Sequence, residues 1–349
     1  GPTLLGFLVL VLVGSFALFS TRADIVSTSP RIESIVSREG SFLANNLLLS
    51  VFAFIVLVGT TYPLILEAFT GTQVGVGEPF FNRLAVPVSF LLLLVMGLGP
   101  ITPWRTAPGG LLWRRIRTPI LIALAVGLGT SLGVSRNGWV DLSVTMGVFV
   151  LGTMTGLLFE QATARTAKTT ETMPAALKKV VTADGAFWAG QLTHAGVVLA
   201  AIGIAFAANL GSHAEADLSP GESALFAGYT ITYESPFQRT PPGRTIVGAR
   251  LTITRGDDLV GMAEPSVNFF GSQSGVGTPD VVHLRSGDLY FTLRDLPGDR
   301  GAITVTFDTS PMIWILWLGG ATAVIGGVLA MMARRRKTTA ATDRETAHV

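Results

Sequence analysis

Long apolar runs dominate the pattern of hydrophobic and polar positions along the chain. Seven of these runs reach or approach the roughly 20 residues that a helix needs to cross the hydrocarbon core of a bilayer. The sequence therefore predicts a polytopic α-helical membrane protein with about seven transmembrane helices. The predicted spans are Thr3–Ser20, Phe42–Ala68, Leu84–Ile101, Pro119–Val134, Trp139–Phe159, Phe187–Leu210 and Pro311–Met332.

A different pattern fills residues 211–310, between the last two apolar runs. This segment holds twelve acidic and seven basic residues and has no apolar run of membrane length. Four short stretches are rich in β-forming residues, and turn sequences such as PPGR and LPGDR separate them. The stretches are GYTITYE (228–234), RTIVGARLTIT (244–254), GDLYFTL (287–293) and GAITVTF (301–307). We predict an inserted all-β domain, closed as a small barrel or sandwich.

The basic residues orient the predicted helices. The tail sequence RRRK at 334–337 is expected in the cytoplasm, because cytoplasmic loops are enriched in Lys and Arg. Alternation from this tail places three loops on the same side, with three, four and four Lys or Arg, whereas the short opposite loops hold only Arg83 and Arg136. The three loops are Thr21–Ser41, Thr102–Thr118 and Glu160–Ala186. The all-β domain is therefore predicted to be extracytoplasmic.

This topology divides the chain into four parts. Six helices occupy 1–210, the extracytoplasmic β-rich domain 211–310, the last helix 311–333, and a basic cytoplasmic tail 334–349, whose hydrophilic end after Lys337 is predicted to be disordered. The chain begins with Gly-Pro, and no basic segment precedes the first apolar run, so we expect a fragment of a longer protein.

Composition narrows the chemistry. The absence of cysteine excludes disulfides, thiolate metal sites and catalytic thiols. A net charge of +2 is too small to indicate a nucleic-acid partner.

His194 is the residue in the apolar runs that most resembles a functional group. It lies in QLTHAGVVLAAIGIAF, Gln191–Phe206, and ionisable side chains inside a membrane usually face the protein interior or a functional group. Histidine is a common axial ligand of haem iron, and small and apolar neighbours suit a flat macrocycle. The small neighbours are Ala195, Gly196, Ala200, Ala201 and Gly203, and the apolar walls are Leu192, Val197 and Leu199. Alternatively, His194 is hydrogen-bonded to a neighbouring helix and the small residues serve helix packing.

None of the other three histidines is expected to complete a haem site with His194. His348 lies in the tail, and His283 lies in a predicted strand. His213 is nineteen residues from His194, which corresponds to about 28 Å along a helix, whereas axial nitrogens on one iron are about 4 Å apart. A haem at His194 would therefore need its second ligand from outside this chain.

Other polar features have simpler explanations. The G-x-G in GVGEPFFNR (75–83) lies between two spans and opens no βαβ unit, which argues against a nucleotide loop. Polar residues near span ends are attributed to solvation at the interface, Glu160 to topology, and RRRK to orientation or contact with anionic lipid. The polar residues at span ends are Asn45, Asn46, Glu67 and Asp141.

Several stretches, taken in order, carry a resemblance to a known family. They are SREGSFLANNLLL (37–49), GTTYPL (59–64), VGVGEPFFN (74–82), LGP (98–100) followed by Trp104-Arg105, THAGV (193–197), LSPGES (218–223), GYTITYES (228–235), GDLYFTL (287–293) and PMIWILWLGG (311–320). Together they resemble the C-terminal half of the cytochrome c maturation protein F family, the membrane haem lyases of the bacterial System I pathway.

The resemblance implies a role for His194. In the family, the corresponding histidine is one of two axial ligands of a stably bound b-type haem. The other ligand, a tryptophan-rich WWD segment and two outer histidines belong to an N-terminal half that this sequence lacks. None of the six tryptophans forms such a segment. His213 and His283 match no ligand position.

The resemblance also implies a function. The whole protein would be a haem lyase of the bacterial inner membrane that attaches haem to the CXXCH cysteines of apocytochrome c. Its expected partners are a haem chaperone, apocytochrome c, thiol-handling maturation subunits, quinol and membrane lipid. This chain alone is expected to be catalytically incompetent. Two alternatives stay open, namely a structural or assembly subunit without haem, and a transporter or channel.

Overall fold

The computed structural model describes residues 2–23, 34, 36–72, 74–104, 108–271, 275–297 and 301–346. Within these residues there are eight α-helices, and a short 3₁₀ turn at Gly99–Ile101 follows the third. They are α1 Pro2–Ser20, α2 Arg38–Thr70, α3 Glu78–Leu98, α4 Gly109–Gly133, α5 Gly138–Thr166, α6 Met173–Ala183, α7 Gly185–Leu210 and α8 Trp314–Thr346. All except α6 are long and apolar enough to cross a membrane, so the seven predicted spans are confirmed by length and composition.

Local caps explain where α2 begins and ends. The Ser37 side chain accepts a hydrogen bond from the backbone N–H of Gly40 at 3.0 Å, which satisfies one of the free donors of the first turn. At the other end, Gly71 adopts a left-handed φ of 69°, and its N–H donates to the carbonyl of Glu67 at 2.9 Å. The helix therefore starts four residues before the apolar run that predicted it.

Two structural details of the polar connections were not predicted from the sequence. Helix α4 starts at Gly109, ten residues before Pro119, and within this additional segment Arg115 forms an ion pair with Glu160. Helix α6 lies inside the segment read as a loop, and it buries Ala176 completely. An eleven-residue amphipathic helix has no run of membrane length, so a search for such runs passes over it.

The chain forms two compact units, Gly1–Gly127 with Val144–Gln191, and Leu128–Ser143 with Leu192–Val349. In the first unit, Ile101, Leu157 and Trp188 form a buried cluster. This cluster joins the 3₁₀ turn after α3 to α5 and to the first turn of α7, and Val180 of α6 packs against it. Leu112 of the second basic loop also packs on this cluster, and Arg38 of the first donates its N–H to the Pro103 carbonyl, so described residues of all three basic loops lie at one end of this unit.

The second unit contains the β-domain. Ten strands are described: β1 His213–Leu218, β2 Ser223–Phe226, β3 Tyr229–Arg239, β4 Thr245–Arg255, β5 Asp258–Ala263, β6 Ser266–Phe269, β7 Val276–Thr278, β8 Asp280–Leu284, β9 Gly287–Leu293 and β10 Ile303–Pro311. One sheet has the order β1-β10-β9-β8, and the other has the order β2-β3-β4-β6-β7, with β5 also paired to β4. All strand pairs are antiparallel.

The two sheets share one hydrophobic core. Alternate residues of β10 enter it, since Ile303, Val305 and Phe307 are at most 2% exposed. The Phe307 ring packs edge-on against that of Phe291, with 5.9 Å between centroids. The four predicted strands are confirmed as β3, β4, β9 and β10. The predicted strand that holds His283 is also confirmed, as β8.

A tight hairpin turn shows why the sequence places glycine between β2 and β3. Ala227 and Gly228 both have positive φ, 51° and 82°, and they connect the paired residues Phe226 and Tyr229. Two successive positive φ angles are the signature of a type I′ turn, whose twist matches that of the flanking strands. Glycine adopts such an angle without steric cost.

Short connections join the β-domain to α7 and α8. Helix α7 ends at Leu210 and β1 begins at His213, while β10 ends three residues before α8. Ser212 donates its N–H to Thr309 Oγ1 at 2.7 Å, and Thr309 donates its N–H back to the Ser212 carbonyl at 2.9 Å. The two connections are thus hydrogen-bonded to each other where the strands begin.

Helix α8 continues further than expected. It runs from Trp314 to Thr346, so the segment after Lys337 that was predicted to be disordered is helical up to that point. Ala, Arg, Lys and Glu are good helix formers, and they allow the last helix to continue past its apolar part. The domain limits at 210, 310 and 333 stay predictions.

Candidate functional site

His194 lies in the third turn of α7, which begins at Gly185. The helix has no internal proline, and its alanine and leucine residues favour helix formation. The side chain of His194 is partly buried.

The glycine-containing face of α7 is filled by α8. A Cβ atom added at Gly196 would collide with the backbone of Ala323, and one added at Gly203 would collide with the backbone of Leu316. The contact is reciprocal, because a Cβ at Gly319 would collide with the backbone of Ala200. Small residues of this kind let two membrane helices approach closely. The expectation that these small residues leave space for a macrocycle is therefore wrong for Gly196, Ala200 and Gly203.

His194 lies on the side of α7 that is opposite the contact with α8. At 3.6 residues per turn, it lies about 180° around α7 from Gly203 and about 160° from Gly196. Its own face of the helix also carries Val198 and Ala205, which are 0% and 7% exposed. The packing of α7 on α8 therefore leaves the histidine side of α7 free of α8.

The imidazole of His194 has an unsatisfied polar atom. Its Nδ1 is buried and forms no hydrogen bond with any residue that the structure describes. Leaving such a group unpaired costs about 1–3 kcal/mol. An iron-bound histidine commonly donates its second N–H to a nearby acceptor, so Nδ1 also needs a partner if Nε2 binds a metal. The arrangement can supply one coordination position, and the described residues contain no group of three potential metal ligands.

The histidines of the β-domain are paired with aspartates. His213 Nδ1 lies 2.6 Å from Asp308 Oδ1, and His283 Nδ1 lies 3.0 Å from Asp288 Oδ1. Both imidazoles are largely exposed, with 60% and 78% of the side-chain surface accessible. The structure does not bring either of them to His194. His348 lies outside the described residues.

The loop with the G-x-G pattern is a helix start. Gly77 is the N-cap of α3, and Pro79 occupies the first turn, where its missing N–H is not needed. Phe80 and Phe81, which follow it, pack against Gly59 of α2 so closely that a Cβ there would collide with their rings. The sequence GVGEPFFNR therefore has a structural explanation.

Two interactions at the basic end of the first unit were missed by the reading of the sequence. Glu160 accepts two hydrogen bonds from Arg115, from Nε and Nη2, both at 2.9 Å, so it is more than a topological charge. Arg38 donates from Nη2 to the carbonyl of Pro100 at 2.9 Å, and its guanidinium lies 5.2 Å from the Trp104 ring centroid. Such partners are far apart in the chain, so only the fold reveals them.

Comparison with known proteins places these features in context. No family model matches the chain. The cytochrome c-type biogenesis protein CcmF of Pseudomonas fluorescens is 29% identical over 337 residues, which cover 96% of this chain and 49% of that protein. The chain is a homologue of the CcmF proteins.

Other cytochrome c-type biogenesis proteins show a similar degree of identity. The cytochrome c-type biogenesis protein CycK of Bradyrhizobium diazoefficiens is 30% identical over 339 residues, and CcmF of Escherichia coli is 27% identical over 338. The chain spans about half the length of these relatives, 50% and 49%. This ratio is consistent with the predicted match to the C-terminal half of CcmF.

A solved structure shares the fold. The structure of the cytochrome c haem lyase CcmF superposes with a TM-score of 0.66 at 22% identity, over 85% of this chain and 46% of that chain. The fold class, a polytopic helical membrane protein with an inserted all-β domain, is thereby confirmed. The sides of the membrane assigned to the β-domain and to the C-terminus stay predictions.

Proposed function

We propose that this chain forms part of a CcmF-type haem lyase, in which His194 is one axial ligand of a b-type haem. The observation that carries the proposal is the buried, unpaired Nδ1 of His194 in a homologue of CcmF. A buried nitrogen without a partner indicates an imidazole whose environment is completed by something beyond the described residues. The whole assembly would act in the bacterial inner membrane, with the β-domain outside and the C-terminus in the cytoplasm.

The residues around His194 fit a single-ligand role. The helix pair α7–α8 fixes the backbone that carries the imidazole, because Gly196 and Gly319 allow backbone contact. Helix α8 does not occupy the side of α7 that presents the ring. When bound, the haem would supply one-electron transfer through its iron. His194 would hold that iron and contribute to its reduction potential.

The second axial ligand would come from another polypeptide segment. His213 and His283 are engaged by Asp308 and Asp288, and both belong to the β-domain. The chain alone is therefore expected to bind haem with one protein ligand and to be incompetent in haem attachment. In the complete assembly, quinol would supply electrons, a haem chaperone would deliver haem, and thiol-handling subunits would present apocytochrome c.

Haem titration of the purified full chain tests the proposal. With haem reduced by dithionite, we expect saturation near one equivalent, and added imidazole should supply the second ligand and produce a low-spin b-type α-band. His194→Ala should lose this binding, whereas His283→Ala is a matched control because that ring is exposed and paired. An α-band of equal intensity in His194→Ala would contradict the proposal.

A second candidate function is favoured by the helix packing. If the glycines of α7 serve only close contact with α8, the chain is a structural or assembly subunit without haem. In that case, the wild type and His194→Ala should both fail to bind haem stoichiometrically. The catalytic expectation has a separate test, because haem attachment to apocytochrome c by the isolated chain above background would contradict its proposed incompetence.

A further inference from the structure

The arginines at the start of α4 divide into two groups. Arg115 faces the protein, where it is bonded to Glu160 and donates from Nη1 to the carbonyl of Ile101 at 2.6 Å. Arg114 and Arg117 are exposed, and neither forms a described hydrogen bond or close ion pair, although Arg114 lies within electrostatic range of Glu160. One arginine in this run is therefore bonded within the fold, whereas Arg117 and Arg114 keep exposed guanidinium groups, and Arg114 has only a longer-range attraction to Glu160.

The two exposed arginines share a face of α4 with apolar side chains. At 3.6 residues per turn, Trp113, Arg114, Arg117, Leu121 and Leu124 fall within an arc of about 100°. Trp113, Leu121 and Leu124 are 61%, 67% and 57% exposed. The face thus begins with a tryptophan and two cations and continues as a leucine track into the apolar part of the helix.

This order of groups matches the order of groups in a phospholipid. Leu121 lies one turn beyond Arg117, so an acyl chain on the leucines would place its phosphate beside the guanidinium groups. Arginine binds phosphate through its planar array of donors, and tryptophan is enriched where the bilayer meets water. Helix α4 starts at the end of the unit where Arg38 is also held, on the carbonyl of Pro100, so the surrounding charge also favours an anionic headgroup.

We propose that this face of α4 is a binding site for one anionic phospholipid. Arg114 and Arg117 hold its phosphate, Trp113 lies at the headgroup level, and Leu121 and Leu124 contact an acyl chain. The occupant is a lipid and not a free anion, because the leucines continue the site for about two turns into the bilayer. The bonded Arg115, on the opposite side of the helix, takes no part.

Lipid retention by the purified full chain, measured by native mass spectrometry, tests the site. We expect phosphatidylglycerol to be retained in preference to phosphatidylcholine. Each basic residue near a membrane surface contributes about a fivefold gain in affinity for anionic lipid, so Arg114→Gln with Arg117→Gln should lose about 25-fold. The double substitution by lysine should keep most of the preference, and it also controls for loss of folding.

The matched control is Arg136→Gln, an exposed arginine just beyond the other end of α4. It should retain phosphatidylglycerol like the wild type. Equal retention of the two lipids by the wild type, or unchanged retention in the Arg114/Arg117 glutamine variant, would overturn the proposal. Competition by inorganic phosphate as effective as competition by lipid would also overturn it, because the leucine track would then contribute nothing.

Discussion

The β-domain and the helix pair α7–α8 achieve close packing in different ways. On β10, Ile303, Val305 and Phe307 are at most 2% exposed because they enter the core, and of the two threonines on the opposite face Thr304 is partly exposed and Thr306 is covered. On α7, the adjacent residues Val197 and Val198 are 44% and 0% exposed, although they are chemically identical. Water selects the buried face of a strand, because apolar surface exposed to it is costly. Lipid accepts either valine, so the buried face of a membrane helix is decided by its neighbours.

The largest expected effect lies in the β-domain. Phe307→Ala removes a side chain that is 1% exposed and packed on Phe291 and Phe226. The loss of burial and the remaining cavity should cost about 3–5 kcal/mol of the free energy of unfolding. Amide hydrogen exchange of β9 and β10 in the full chain measures this loss of stability. Leu225→Ala, at a position 79% exposed, should change this exchange little; an equal effect of the two variants would contradict the assigned core.

A smaller loss of stability is expected where α7 and α8 touch. Gly319→Ala inserts a methyl group into the backbone of Ala200, whereas Gly320→Ala meets nothing within 4 Å. Overpacking of this kind costs about 1–3 kcal/mol. Thermal unfolding of the two variants in the same detergent compares neighbouring positions on one helix. If Gly320→Ala were the more damaging change, the assigned face of α8 would be wrong.

The smallest effect concerns charge outside the membrane spans. Hydrogen bonds from Arg165 and then Lys179 lower the pKa of Glu171 from 4.5 to about 2. Because the folded state binds the proton more weakly, this carboxylate stabilises the α5–α6 turn above pH 4.5, and the contribution is lost as the pH falls towards 2.

Melting temperatures across this pH range test the assignment. The difference between wild type and Glu171→Gln should be small at pH 6 and should vanish near pH 2. Glu215→Gln, at an exposed position on β1, serves as the control. A difference that is constant from pH 6 to pH 2 would exclude Glu171 as the titrating group.

Prediction from sequence succeeded where one physical rule governs a whole segment. Seven apolar runs gave seven helices, and the alternation in GAITVTF gave β10, because length and period are local properties. The end of α4 was predicted to within one residue, but its start was placed ten residues too late, because the basic segment before Pro119, where Arg115 bonds Glu160 45 residues further along the chain, is not apolar. The residue His194 was found as a candidate because a charge-bearing side chain in an apolar run stands out. Its surroundings were predicted incorrectly, because a sequence does not distinguish glycines that leave space for a macrocycle from glycines that allow another helix to approach.

The sequence by itself determined which segments enter the membrane, which segment forms the β-domain, and where the single conspicuous imidazole lies. These features depend on the free energy of transferring side chains between water and an apolar medium, and each residue contributes to that free energy independently. Only the tertiary structure decided that α8 fills the glycine face of α7, that Nδ1 of His194 is enclosed without a hydrogen-bond partner among the described residues, and that Glu160 bonds Arg115 and neither Arg114 nor Arg117. Those features depend on distances between residues far apart in the chain, and composition and periodicity carry no information about such distances.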